Sequence, residues 1–234
     1  MAGGPVTAPA GGRRAPGFTL VEILVVLAIL GTLIGLIAAL IPKAMVAKQK
    51  TRANHLINQI GAALTLLKND PDQLGRYPLS RLRDLKIGKT MVGKEVGQQN
   101  DINVGIECIY FVLNNPDIQV QQITSDPELI GNADKDQYRS ARGSASDTEA
   151  REYLDPWGQP LAYFHSNDYK EPKGLTDLVT PDGRKISVKP KRMKASAGGG
   201  FKNKNSFQLF SVGPNGEQDP DEAEDCDDIE FEAP

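Results

Sequence analysis

Glu22 is the only ionisable residue among the 24 from Phe18 to Ile41, which read FTLVEILVVLAILGTLIGLIAALI. A carboxylate inside an apolar helix costs about 2.5–3.5 kcal/mol at the centre of a bilayer and less near its edge, so it needs either the interface or a cationic partner. The second concentration of reactive groups lies at the other end of the chain. Ten acidic residues fall between Glu217 and Glu232, and packed carboxylates repel one another unless solvent or a cation neutralises them. Hard cations such as calcium take six to eight oxygen ligands from carboxylates and carbonyls of a flexible loop. The spacing there is not that of an EF-hand. Two cysteines, Cys108 and Cys226, could form one disulfide outside the cytoplasm. Cys108 also lies in an apolar run, where a plain buried thiol is equally consistent. The histidines, His55 and His165, stand in unrelated contexts with no CxxC or Cys/His cluster. Neither a zinc site nor a nucleophile–base pair is visible, so no catalytic residue is assigned.

The elements that position these groups follow from patterning. A helix of 24 residues is about 36 Å long, enough to cross a hydrocarbon core of about 30 Å. Arg13 and Arg14 precede it and favour a cytoplasmic N-terminus, although Lys43, Lys48, Lys50 and Arg52 follow it. The segment is unlike a secretory signal, being too long and lacking a small-residue cleavage site after the apolar run. Residues 1–17, rich in Gly, Ala and Pro, carry no pattern for a fold. If the chain were cut after Gly17, the new amine of Phe18 would lie one helical turn from Glu22 and could meet a neighbouring copy's carboxylate. Beyond the apolar run, Ala53, Leu56, Ile57, Ile60, Ala63, Leu64 and Leu67 recur at helical spacing, the apolar face of an amphipathic helix. Pro42 should kink or locally melt the helix, and Pro71 should end it near Asn69–Asp70.

GFTLVE ahead of a long apolar helix resembles the class III prepilin signal of type IV pilins and type II secretion pseudopilins. The resemblance implies cleavage between Gly17 and Phe18 by a prepilin peptidase, N-methylation of Phe18, and a role for Glu22 in docking the subunit onto a growing filament. It further implies an α+β pilin fold, in which a long N-terminal α-helix packs on a small antiparallel β-sheet domain with long loops. The expected organisation is a leader at 1–17, a membrane or filament-core half-helix at 18–42, an amphipathic half at 43–70 and a periplasmic globular domain at 71–234. Tyr77-Pro78 is similar to the family's helix exit.

In the globular part, the run IECIYFVLNN fits a helix capped by Asn103 and ended by Pro116, but it is β-branched and aromatic enough for a strand. The stretch from Ile130 to Glu152 reads as loop or partly helical. A strand is expected from about Leu161 to His165 after the Pro156-Trp157-Gly158 turn, with Trp157 anchoring the core. DLVTPDGRKISV reads as a hairpin turning at Pro181-Asp182-Gly183, and SFQLFSV as another strand. Residues 167–204 look like an insertion relative to major pseudopilins, with Gly198–Gly200 as a loop tip and its basic residues, from Lys170 to Lys204, as a solvated block. That block has almost no interleaved aromatics and the tail is acidic, which argues against a nucleic-acid partner.

DPWG followed by a strand, and SVGPNG followed by an acidic loop and DDI, resemble segments of major pseudopilins. The second implies calcium in the C-terminal loop, held by Asp227 and Asp228 with Asn215 and carbonyls near Phe210–Val212. Asn215 stands where the family usually has Asp, and the loop is longer than usual. A Cys108–Cys226 bridge could staple it. The function implied is that of a single-pass inner-membrane subunit of a type II secretion pseudopilus. Its partners would be other copies, minor pseudopilins, the prepilin peptidase and the inner-membrane secretion platform. A type IV pilin or minor pilin for adhesion, motility or DNA uptake is the second reading, and a membrane-tethered periplasmic enzyme a distant third.

Overall fold

The computed structural model describes residues 17–87, 90–91, 96–97, 100–118, 123–124, 126–140, 149–194, 198–220 and 226–232. The leader reading therefore falls outside the described residues except at Gly17. The chain forms two compact units, Met1–Met45 and Val46–Pro234.

Helix α1 runs Leu20–Asn69. In the first unit it is apolar on every face, and none of the membrane-length window is buried by the chain itself. Leu24, Leu27, Leu30 and Ile34 all remain exposed. Such a surface is stable only against lipid or other apolar helices. Pro42 lies inside α1 without interrupting it. The expected local melting does not occur, since losing one backbone donor leaves the flanking turns bonded.

In the second unit the α1 residues with helical spacing, from Ala53 to Leu67, line one buried face. The helix ends before Pro71, and Gly75, at φ 64°, caps it by donating to the carbonyls of Leu67 and Asp70. Short strands follow: β1 (Lys86–Ile87), β2 (Thr90–Met91) and β3 (Val96–Gly97). Next is helix α2 (Val104–Leu113), which settles the helix-or-strand question. Its residues bury on nearly every side, so tertiary packing rather than propensity holds it. Asn103 does not cap it with its side chain. It sits at φ 53° and bonds instead to both backbone groups of Val179, tying the helix start to a distant strand. Gly105 is required by contact, because a Cβ there would lie 2.3 Å from the Tyr163 carbonyl oxygen.

The stretch expected as loop or helix instead holds β4 (Ile130–Gly131) and β5 (Arg139–Ser140), with β6 (Glu152–Tyr153) at its end. These pair as two-stranded ribbons, β3 with β5 and β4 with β6. The expected strand after Trp157 is β7 (Ala162–His165). The expected hairpin is β8 (Asp177–Val179) and β9 (Lys185–Ser187), turning through Gly183 at φ 84°. β10 (Phe207–Ser211) and β11 (Ile229–Glu230) complete an antiparallel sheet in the order β11-β10-β7, with Phe207 opposite His165 and Phe210 opposite Glu230.

Every residue of β10 is buried, so both faces of this sheet are covered. Tyr163, Phe207 and Leu209 face the α1–α2 core. Ala162, Phe164 and Phe210 face a second core built from Tyr169, Leu175, Leu178, Ile186 and Val188. Within the segment expected as an insertion, Tyr169 to Val188 therefore supply a structural layer over the sheet. The fold is α+β, a long apolar helix followed by small antiparallel sheets in a pilin-like arrangement.

Candidate functional site

At the N-terminal end of α1, Thr19 and Glu22 form a reciprocal capping box. A Glu22 Oε2 atom accepts the Thr19 N–H and hydroxyl, each at 2.8 Å, while Thr19 Oγ1 accepts the Glu22 N–H at 3.2 Å. The intrusive carboxylate thus has local donors in a medium that would otherwise supply none. Phe18 is 84% exposed, and a Cβ on Gly17 would meet nothing within 4 Å. Among the described residues, nothing packs against Gly17 in a way that demands a glycine there.

The C-terminal acidic loop is organised around a cation that the sequence concealed. Lys191, expected within a solvated basic block, has a side chain only 3% exposed, and its ammonium lies 2.5 Å from an Asp228 oxygen and 2.9 Å from Glu230. Lys202 also pairs with Glu230. Burial opposes the Lys191 charge, but these two carboxylates raise its pKa on balance. Asp228, fully buried at its side chain, also accepts the Asp219 N–H, and Asp219 accepts the Asp227 N–H at 2.7 Å. Burial and the Asp219 charge push the Asp227 carboxyl up, whereas N–H donors from Asp227 and Asp228 hold Asp219 down.

The loop is joined to the turn at 155–158. Buried Asp155 accepts the N–H groups of Trp157 and Gln159 and the Ser211 hydroxyl, the last at 2.6 Å. Gln159 Nε2 donates to the Gly213 carbonyl, and Ser211 Oγ accepts the Gly213 N–H. Gly213, at φ 74°, packs so closely under the loop that a Cβ would lie 2.5 Å from the Asp227 carbonyl. Trp157 packs against the main core, as expected of an anchor.

Residues 12–38 match the prokaryotic N-terminal methylation motif. That segment contains Gly17, Phe18, Thr19 and Glu22. It supports a place among type IV pilin-like subunits that a prepilin peptidase processes and that assemble into pilus-like filaments. A prepilin-type motif on an exposed apolar helix fits membrane anchoring and points to a structural subunit rather than an enzyme. No curated protein and no solved structure matches the chain.

The ligands inferred from sequence are placed as follows. Asp227 Oδ1 and Asp228 Oδ1 are buried and accept no hydrogen bond. Asp219, one acidic residue among ten in the sequence, groups with Asp228 and not with Asp227: its carboxylate, that of Asp228 and the Cys226 thiol lie within 4.8 Å of one another. Lys191 meets Asp228 and Glu230 but is not paired with Asp219, and carboxylate oxygens of this kind suit a hard cation, for which the thiol is a poor ligand. Asn215 lies at the preceding turn. Its side-chain oxygen accepts the Glu217 N–H, closing a turn, and its backbone N–H reaches Asp227. Phe210 and Ser211 are paired with β11 in the sheet.

Cys108 and Cys226 are both free thiols, so the considered bridge is not formed. Cys108 donates to the Leu79 carbonyl from inside α2, while Cys226 is exposed. Half-buried His165 has its pKa lowered by burial and accepts the Asn167 N–H at Nδ1, a local capping role. The basic tract hid Lys191 because buried and solvated lysines are identical in sequence.

Proposed function

We propose that the chain is a major-pseudopilin-like subunit of a type II protein secretion system. The observation that carries this reading is the lock between DPWG and SVGPNG: Asp155, Gln159, Ser211 and Gly213 tie together the two segments that resemble major pseudopilins. The subunit sits in the inner membrane through residues 18–42 with its globular domain in the periplasm. A prepilin peptidase cuts after Gly17, and the Phe18 amine is methylated. The exposed apolar helix then exchanges lipid contacts for neighbouring helices, and Glu22 pairs with the Phe18 amine of an adjoining copy. Copies and minor pseudopilins form a short periplasmic filament on the inner-membrane platform. The subunit performs no covalent chemistry.

The C-terminal loop holds calcium through Asp219, Asp227 and Asp228, which neutralises the carboxylate charge left over by Lys191. Mass spectrometry of the mature N-terminus tests the processing, with N-methyl-Phe18 expected. A retained Met1, or a cut beyond Ile41, would overturn it. Deleting the gene should abolish export of secreted proteins. Intact export together with loss of a long surface pilus would instead identify a type IV pilin.

A further inference from the structure

A second group of acids converges in a part of the domain that the processing and filament reading does not use. Glu107 comes from α2, and Asp134 and Asp136 from the turn after β4. One carboxylate oxygen of each lies within 4.8 Å of the other two. Glu107 and Asp136 are buried, and Asp134 is half-buried. The turn reads Asn132-Ala133-Asp134-Lys135-Asp136, with an oxygen-bearing side chain at every second position and Lys135 at φ 61°.

A separate observation comes from β6. Glu152 is 0% exposed, and its Oε1 accepts the N–H of Ala133, in the middle of that turn, and the Asn103 amide. Its other oxygen, Oε2, is buried with no hydrogen-bond partner. Ala133 lies between Asn132 and Asp134, so its hydrogen bond holds the Glu152 carboxyl against the turn that carries Asp134 and Asp136. Like charges about 4 Å apart repel by about 4 kcal/mol at an effective dielectric of about 20. Carboxyls drawn together in this way from α2 and the turn after β4, with Glu152 of β6 held against that turn, are an arrangement that a bound cation would stabilise.

We propose that Glu107, Asp134, Asp136 and Glu152 form a divalent-cation site, distinct from the C-terminal loop. Calcium is the fitting ion. The donors are all oxygen, and several carboxylates on an adaptable turn suit its irregular coordination better than the strict octahedron of magnesium. The ion would clamp α2, the β4–β5 turn and β6 together, joining residues far apart in sequence.

Terbium, a luminescent calcium substitute, tests this on the full-length chain in detergent. Tyr138 donates its hydroxyl to the Glu107 carbonyl, so a sensitising ring adjoins the site. Tyrosine-sensitised emission is expected, displaced by calcium at sub-millimolar to millimolar concentration. Asp134→Asn should weaken terbium binding by about tenfold or more, and Asp227→Asn, in the other loop, should leave it unchanged. Asp136→Asn should behave like Asp134→Asn; if circular dichroism shows that it fails to fold, the half-buried Asp134 position decides. Absence of sensitised emission in the wild type overturns the proposal. So does unchanged affinity in Asp134→Asn, or a signal lost only in Asp227→Asn.

Discussion

Replacing Lys191 by methionine keeps the side-chain volume and deletes its charge. In the folded chain Lys191 is 3% exposed at its side chain and meets Asp228, at 2.5 Å and 0% exposed, and Glu230, at 2.9 Å and 26% exposed. Glu230 retains Lys202 in the variant, so the loss falls on Asp228. Leaving one partner of a buried pair uncompensated costs about 3–5 kcal/mol. For a domain of this size each 1 kcal/mol shifts the melting temperature by about 2–4 °C, giving a drop of about 6–20 °C. The assay is thermal melting of the full-length chain in detergent with a chelator present, which removes any contribution from bound cations. Pairing Lys191→Met with Asp228→Asn removes the orphaned charge and should recover most of the loss, a coupling that a double-mutant cycle reads directly. If Lys191→Met melts within about 2 °C of the wild type, the ammonium does not hold the loop. If the double variant is no more stable than the single one, the loss is packing and not charge.

Burial pushes the Asp155 carboxyl up to about 6, so the folded state binds that proton more tightly than the unfolded chain. Its contribution to stability is then full below about pH 4 and falls by about 3 kcal/mol as pH rises to about 6. Asp155→Asn keeps the acceptor for the turn amides and should lack this slope; equal pH profiles for both proteins would refute the assignment. Calcium at about 100 times its dissociation constant should stabilise the chain by about 2.7 kcal/mol per site, with the share of the C-terminal loop missing in Asp227→Asn. Equal calcium-induced shifts in Asp227→Asn and wild type would exclude that loop.

Some of this was legible because it is local. The face from Ala53 to Leu67 is visible as a 3.6-residue period, and Pro71 marks where the helix must stop. The hairpin at Gly183 is visible because only certain residues tolerate its turn. Local patterning failed where a segment's partner is distant. IECIYFVLNN is apolar on all sides, so periodicity could not separate helix from strand, and burial against β6 and β7 made it α2. The short strands between Ile130 and Glu152 have too few residues for any alternation to register. The covering role of the segment around the hairpin was not legible because its few apolar residues, Tyr169, Leu178, Ile186 and Val188, matter only once the second sheet face exists.

The sequence by itself determined the prepilin-type segment, since Gly17, Phe18 and a lone Glu22 in an apolar run are all defined within one stretch of chain. It also determined the amphipathic half of α1. The tertiary structure alone decided which charges are buried: that Lys191 answers Asp228, that Asp155 locks two turns together, and that Glu107, Asp134 and Asp136 meet. The physical reason is that a charge's energy depends on its solvent and its neighbours in space, and neither is encoded within a few residues of the charge itself.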